Sequence, residues 1–365
     1  MAVVGRNGRW GTAPRRVPSR ITLDHCRSGG QWDRLIERTA GSTAFHAWDW
    51  LELQAQAHGW RFEPLLASVD GEAVGVAPLL LGRRHLSMEA RVPFPYVGPV
   101  VPPEHLTGTL LALDGWAREN RIVSSRAEFA PGVSYPAEAA PRARWDVHED
   151  LTWVVDLSHG SVDQFWRGTR RSVRRTLRSA EQRGVVVRPS TKTEVCQWLP
   201  PFFDEAYGAR GLPSPYPRDV GEAIWERYGE REGVCMLSAW VGDQPGGLSL
   251  AFGHGETLYS WAGGGFRSRR GDNTGTALYV HEILWALEHG FRFLDEVGAV
   301  DEGVSRFKRA FGAQEVPYLV ATRTHSPVWR QVRRAYRLAK RGRERLSASP
   351  YDAAGRAEHA PPRGR

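Results

Sequence analysis

The chain reads as a mixed α/β protein built from two similar domains, and three observations point there. Its 365 residues are too many for one ordinary core and suit two domains of about 130–180 residues. A strand–turn–strand pattern occurs twice, around Asp70-Gly71 and around the Gly242–Gly246 turn. Around each hairpin the same succession recurs: helix, helix, antiparallel hairpin, helix, strand. The repeat lies in element order and not in residue identity. Such a pair places its site in the cleft between halves.

Taken in order, residues 1–19 hold Gly, Pro and Arg with no acid and read as a disordered basic tail. Helices are expected over 32–38 and 43–58, and the alternating runs 62–69 and 73–81 form the first hairpin. A rigid Pro93-to-Pro99 loop follows, then an amphipathic helix over 106–120 and a strand over 123–129. Residues 131–144, rich in Pro and Ala, mark a surface connection, so the first domain is assigned 20–148 and the second 149–325. The second domain is expected to run as a strand at 152–156, one helix over 162–183 ended by Gly184, and a strand at 185–188. A helix over 195–208 and a proline-dense loop at 212–217 come next. Strands at 234–241, 247–252 and 257–262, a helix at 276–289, and strands at 291–296 and 316–322 complete it. A basic amphipathic helix at 326–346 and a disordered tail at 347–365 close the chain.

With 49 Lys+Arg against 41 Asp+Glu the net charge is +8, which favours polyanionic partners without choosing among them. Three cysteines at unrelated spacings give neither a disulfide framework nor a metal site. No run reaches the roughly 18 apolar residues of a spanning helix, and the N-terminus has no signal-peptide core, so a cytoplasmic setting is expected. The histidines lack metal-ligand spacing, and no Gly-x-Ser-x-Gly elbow occurs, which turns the reading away from metalloenzymes and hydrolases.

Three constellations carry chemistry. The 162–183 helix presents Arg167, Arg170, Arg171, Arg174, Arg175 and Arg178, guanidinium forks suited to phosphate oxygens. Gly263-Gly-Gly265, followed by Arg267, Arg269 and Arg270, reads as a phosphate loop. It lacks the Gly-Lys-Ser/Thr of a nucleotide-binding loop, and Asp272 stands where a coenzyme A loop carries a base. Last comes Val304-Ser-Arg-Phe-Lys-Arg-Ala-Phe-Gly-Ala313, in which Phe307-Lys308 follow a strand end at Asp295 and the glycines Gly298 and Gly303.

These blocks together resemble one family. Thr43-Ala-Phe-His-Ala-Trp-Asp-Trp-Leu51 resembles the opening Phe-x-x-x-x-Trp-Leu block of the Fem-type peptidyltransferases, and Val74-Gly-Val-Ala-Pro-Leu79 their second hairpin strand. Tyr96-Val-Gly-Pro99 resembles their Gly-Pro loop, Arg170 to Val185 their Arg-rich helix, and Leu278 to Gly312 their closing block. The likeness runs from about residue 43 to 322. It implies two GNAT-like domains in tandem, each a mostly antiparallel sheet flanked by helices, with donor and acceptor meeting at the cleft. It further implies an aminoacyltransferase that uses aminoacyl-tRNA as co-substrate, needs no other cofactor, and acylates a primary amine on a small peptide or peptidoglycan precursor, free or lipid-linked.

Carried over, Lys308 and Phe307 fall on the family's Phe-Lys pair beside the reacting ester. Asp295 is the candidate for orienting or deprotonating the amine, with pairing to Lys308 or Arg306 as the structural alternative. Trp50, Tyr96, Gly98, Arg170, Arg171, Arg174, Arg175 and Gly303 are the candidate substrate contacts. Gln54 stands where muropeptide enzymes carry a lysine, and Val100-Val101 where an acid is common, which points to a different acceptor. An aminoacyl ester is already activated, so a positioned amine attacks it without a covalent enzyme intermediate while a fixed cation meets the oxyanion. Two alternatives stand beside this: an acyl-CoA-dependent N-acyltransferase on the same fold, and a non-catalytic RNA- or membrane-binding protein. The C-terminal basic helix suits docking on the body, contact with an anionic membrane, or RNA.

Overall fold

The alternating runs become strands, and all of them join one sheet. The structure, a computed structural model, describes residues 20–326 apart from 85, 86, 94, 95 and 299–301, together with 329 and 331. The tails assigned to 1–19 and 347–365, and nearly all of the helix expected at 326–346, lie outside the described residues.

The first half runs β1 (Ile21–His25), α1 (Gly29–Arg38), α2 (Trp48–His58), β2 (Arg61–Val69), β3 (Glu72–Arg84), β4 (Ser87–Arg91), α3 (Pro103–Glu119), β5 (Ile122–Glu128), α4 (Pro136–Arg142) and β6 (Asp146–Asp156). Helices α5 (Val162–Gly168) and α6 (Arg171–Gln182) follow. The second half repeats the order of the first: β7 (Val185–Pro189), α7 (Lys192–Gly208), α8 (Val220–Tyr228), β8 (Val234–Val241), β9 (Gln244–His254), β10 (Thr257–Gly265), α9 (Thr274–Glu288), β11 (Phe293–Asp295), α10 (Glu302–Ala310) and β12 (Gln314–Thr324).

Local chemistry explains the boundaries. Asp70 (φ 51°) and Gly71 (φ 86°) are both left-handed, which makes the tight two-residue turn that matches strand twist. α7 opens on a reciprocal cap, with the Thr191 side chain accepting from the Glu194 backbone and Glu194 from that of Thr191. α2 ends on Gly59 at φ 63°. The single helix expected over 162–183 is two. Thr169 Oγ1 donates to the Phe165 carbonyl at 2.8 Å, Arg170 is extended, and its amide donates to Ala310 O at 2.9 Å. That tertiary bond pulls the backbone out of helix. α8 and α10 were not foreseen, and Lys308 stands on α10.

The 12 strands lie in the order β1-β2-β3-β4-β5-β12-β6-β11-β10-β9-β8-β7. β4 and β5 are parallel, as are β10 and β11, so the halves mirror each other about the β12–β6 pair. Each half gives its last strand to the other: β12 pairs with β5, and β6 with β11. The exchanged strands then pair with each other over nine positions, Gln314–Thr322 against Val154–Asp146. The 148/149 domain boundary falls inside β6.

On one face α1, α2, α7 and α8 share a continuous core in which Trp50 packs edge-on against Trp261 from the other half, ring centroids 5.1 Å apart. On the opposite face α3 and α4 cover the first half and α6 and α9 the second, as separate cores. At the end of β12, Ser125 Oγ meets His325 Nε2 at 2.8 Å and Asp114 meets His325 Nδ1 at 2.7 Å. This Ser–His–Asp chain is buried throughout, so it locks the exchanged strand to α3 and β5 and offers no nucleophile to a substrate. Among the described residues no helix is long and apolar enough to cross a membrane.

Candidate active site

Two parallel neighbours that part after a few residues leave a gap in a sheet, and this sheet has two such places. In the first half the gap beside β5 is occupied by its own chain. Val76 and Val100 exchange backbone bonds of 2.9 and 2.8 Å, and Glu128 N donates to Val97 O at 3.0 Å. Gly98 is required there because a Cβ would come within 2.7 Å of Glu128 O.

In the second half the gap is open. β10 and β11 pair only through Thr257–Tyr259 and Phe293–Asp295, and β10 bulges between Ser260 and Ala262. A cavity of about 680 Å³ fills the splay, of the size that holds a small-molecule substrate. α7 contributes Phe203 and Tyr207, the turn after it Arg210, β10 Trp261, α9 Tyr279 and Glu282, and α10 Phe307 and Lys308.

Gly263-Gly-Gly265 is not a phosphate loop. The three residues form the end of β10, paired with Gly247–Ser249. Close approach demands them: a Cβ on Gly265 would collide with Thr274 Oγ1, and one on Gly263 would meet Ser249 Oγ at 2.8 Å. Asp272 pairs with Arg269 at 3.7 Å, whereas Arg270 lines the cavity beside Gly275 at the start of α9.

Lys308 is buried in the cavity wall with its three N–H groups directed to three acceptors. It donates to the carbonyls of Glu296 and Gly298, both at 3.0 Å, and pairs with Glu296 Oε2 at 3.5 Å. Its carboxylate partner is therefore Glu296 and not Asp295. The Tyr279 hydroxyl donates to the other oxygen of Glu296. Burial pushes the Glu296 carboxyl up to about 7, against the pull of the Lys308 cation.

Asp295 is held otherwise. It accepts from Thr152 Oγ1 at 2.7 Å, Val297 N at 2.8 Å and the Tyr96 hydroxyl at 3.1 Å, which joins a first-half residue to β6 and β11. Burial raises it to about 6, and it is not among the cavity's lining residues. As a base for a bound amine it is in the wrong place; Glu296 and Glu282 are the carboxylates facing the cavity.

The remaining candidates separate. Gly303 and Phe307 line the cavity, Phe307 over a third exposed and packed on Tyr279 and Phe311. Trp50 and Tyr96 are core residues of the joint between halves, and Gln54 is buried there too, accepting from Tyr216. Arg170, Arg171, Arg174 and Arg175 are exposed on α6 and its cap, outside the cavity. Arg174 lies over the Trp166 ring at 5.6 Å. From this face Arg183 reaches Gly271, and Arg267, Arg269 and Arg270 continue the positive surface to the cavity's rim.

Glu282, Glu296, Tyr279 and Arg210 were missed as site residues in the sequence. An acid that, with His281, interrupts the apolar stretches Leu278–Val280 and Ile283–Ala286 was the available signal for Glu282. Strand parity at Leu294-Asp-Glu296 was the signal for Glu296, since neighbours along a strand face opposite sides.

Residues 167–309 match the family model described as an acetyltransferase (GNAT) domain. No curated protein matches the sequence. Among solved structures, one titled as FemX aligns with a TM-score of 0.65 at 13% identity, over 81% of this chain and 96% of that one. The C-terminal domain of a putative lysylphosphatidylglycerol synthetase from Agrobacterium fabrum aligns at 0.56 and 11%, over 81% and 92%. A tandem GNAT protein from the clavulanic acid biosynthesis pathway aligns at 0.53 and 13%, over 84% and 99%. At these identities the likeness is one of fold.

Proposed function

We propose that this chain, whose fold is that of tandem GNAT proteins, is an N-acyltransferase of the Fem-type kind that moves an aminoacyl group from aminoacyl-tRNA to a primary amine. The observation that carries this reading is the cavity's polarity. Its rim bears the exposed cations Arg210 and Arg270, while its wall holds the buried Glu282, Glu296, Tyr279 and Lys308. A polyanionic carrier suits the rim, and a reacting ester and amine suit the wall. The exposed arginines of α6, with Arg183 and the 267–270 turn, supply cations for an RNA backbone.

The amine nitrogen attacks the ester carbon, the bond to the ribose oxygen breaks, and an amide and a free hydroxyl result. Glu296, poised at about 7, takes the proton that the amine loses. Once protonated it holds Lys308 less strongly, so an N–H of Lys308 turns to the oxyanion. The Tyr279 hydroxyl, bound to the same carboxyl, returns a proton towards the leaving oxygen. Phe307 at the rim offers a face for the terminal base. The acceptor is a small peptide or lipid-headgroup amine, and the setting is cytoplasmic, where charged tRNA is found.

An acyl-CoA donor is the second reading, favoured by Arg270 and Gly275 at the α9 N-terminus, where a pyrophosphate would meet backbone N–H groups. Incubation with a labelled pool of aminoacyl-tRNAs and a panel of primary amines separates the two. RNase-sensitive transfer supports the first; transfer that survives RNase and needs acyl-CoA replaces it with the second.

A further inference from the structure

Glu282 is a buried carboxylate with work left to do. It lies on the α9 face that packs against β9 and β10, and only 1% of its surface is exposed. The Ser249 hydroxyl donates to Oε2, and Ser260 also bonds to the carboxyl. Oε1 has no partner, yet Glu282 lines the cavity. Leaving an acceptor of a carboxylate buried and unmatched is costly, so folding alone gives no reason to keep it there. The nearest cation in the wall cannot serve, because Lys308 is already held by Glu296 and two carbonyls.

The surroundings select the missing partner. Trp261, Tyr279 and Phe203 bring aromatic rings to the same cavity, an environment that favours a compact cation over an anion. A plain acyl chain would leave Oε1 unmatched, and an anionic group would find another acceptor there and no free donor, since Lys308 is held by Glu296. We infer that Glu282 is the recognition group for a primary ammonium on the substrate, so that the cavity admits amino-bearing ligands and discriminates against plain or N-blocked acyl groups. Two sources share this chemistry: the α-amino group of an aminoacyl donor, and a second amine on the acceptor. The inference rests on the reading of this cavity as the transfer site, but its test is a binding test and needs no turnover.

The full chain is titrated calorimetrically with two probe pairs. One is a 3′-amide-linked aminoacyl-adenosine with a free α-amine, against its N-acetyl derivative; the other is 1,5-diaminopentane against its mono-N-acetyl derivative. Wild type binds the free-amine member of one pair about 30-fold or more tightly, and Glu282→Gln, which keeps an acceptor for the two serines, abolishes that preference. Preference in the adenosine pair identifies the donor's amine; preference in the diamine pair identifies the acceptor's. Glu282→Met, of similar volume and no charge, repeats the test if the amide disturbs the serines. Equal binding of both members by wild type, or a preference that survives both substitutions, overturns the inference. A preserved preference in a protein that transfers nothing from aminoacyl-tRNA would leave Glu282's role standing and remove the donor assignment instead.

Discussion

Asp295 and Glu296 are adjacent carboxyls with unrelated work. The first takes Tyr96, Thr152 and a backbone amide on its Oδ1, away from the cavity, while the second faces the cavity with Lys308 and Tyr279 on its two oxygens. If Glu296 is the base, kcat/KM rises with pH through about 7, because only the ionised carboxylate accepts the amine's proton. Glu296→Gln should lower kcat by about 10²–10⁴-fold and flatten that acid limb. Lys308→Met should move the limb to higher pH as well as slow the reaction, since the cation holds the carboxyl down. A pH–rate profile in which Lys308→Met slows turnover but leaves the limb in place would break the link between the two residues. At this scale Lys308 and Phe307 were legible because they sit in a recognisable run. Phe203 on α7 and Arg210 in the turn after it were not, since nothing local in 192–210 announces which side chains meet the splay.

α6 illustrates what sequence periodicity captures and what it leaves out. Its Arg face and its buried Val173 and Ala180 follow from 100° per residue. The break at Thr169-Arg170 does not, because it comes from a bond to Ala310, 140 residues further on. The triple glycine was misread for a related reason: a run of glycines signals close approach as well as a loop, and only the neighbouring strand and Thr274 decide between them. If the α6 face carries RNA phosphates, Arg174→Glu, Arg175→Glu and Arg178→Glu combined should weaken tRNA binding and reduce its salt dependence by roughly 0.7–0.9 in log–log slope per lost phosphate contact. Thermal stability should change little, as the three side chains are exposed. An unchanged salt slope would remove the helix from the interface.

For the molecule as a whole, exchange of β6 and β12 and the shared aromatic core make the halves one body. Tandem repetition could be read from the order of elements. The exchange could not, because both arrangements use the same strands. His46 belongs to this joint: its Nδ1 accepts from Thr43 N at 3.1 Å and its Nε2 lies 3.2 Å from Gly98 O on the segment filling the first splay. Burial lowers its pKa to about 3. The unfolded chain therefore takes up a proton near pH 6.5 that the folded one refuses, and this contribution is complete above pH 6.5 and lost as pH falls towards 3. Asp295 and Glu296, raised to about 6 and about 7, act in the opposite sense, so the comparison must be with a variant. Relative to His46→Gln, wild-type unfolding free energy should fall by about 1.4 kcal/mol per pH unit through that window. Parallel curves in urea titrations from pH 7 to 4 would show that His46 is not held neutral.

The open splay in the second half, with a cationic rim above a wall of Glu282, Glu296, Tyr279 and Lys308, is the centre of the account. Its most direct test is transfer of a labelled amino acid from purified aminoacyl-tRNA to a primary amine, with intact and RNase-treated donor and with Glu296→Gln and Lys308→Met in parallel. Amide product that requires intact tRNA and is lost in both variants is the expected result. Product formed equally by the variants, or formed only from acyl-CoA, would contradict it.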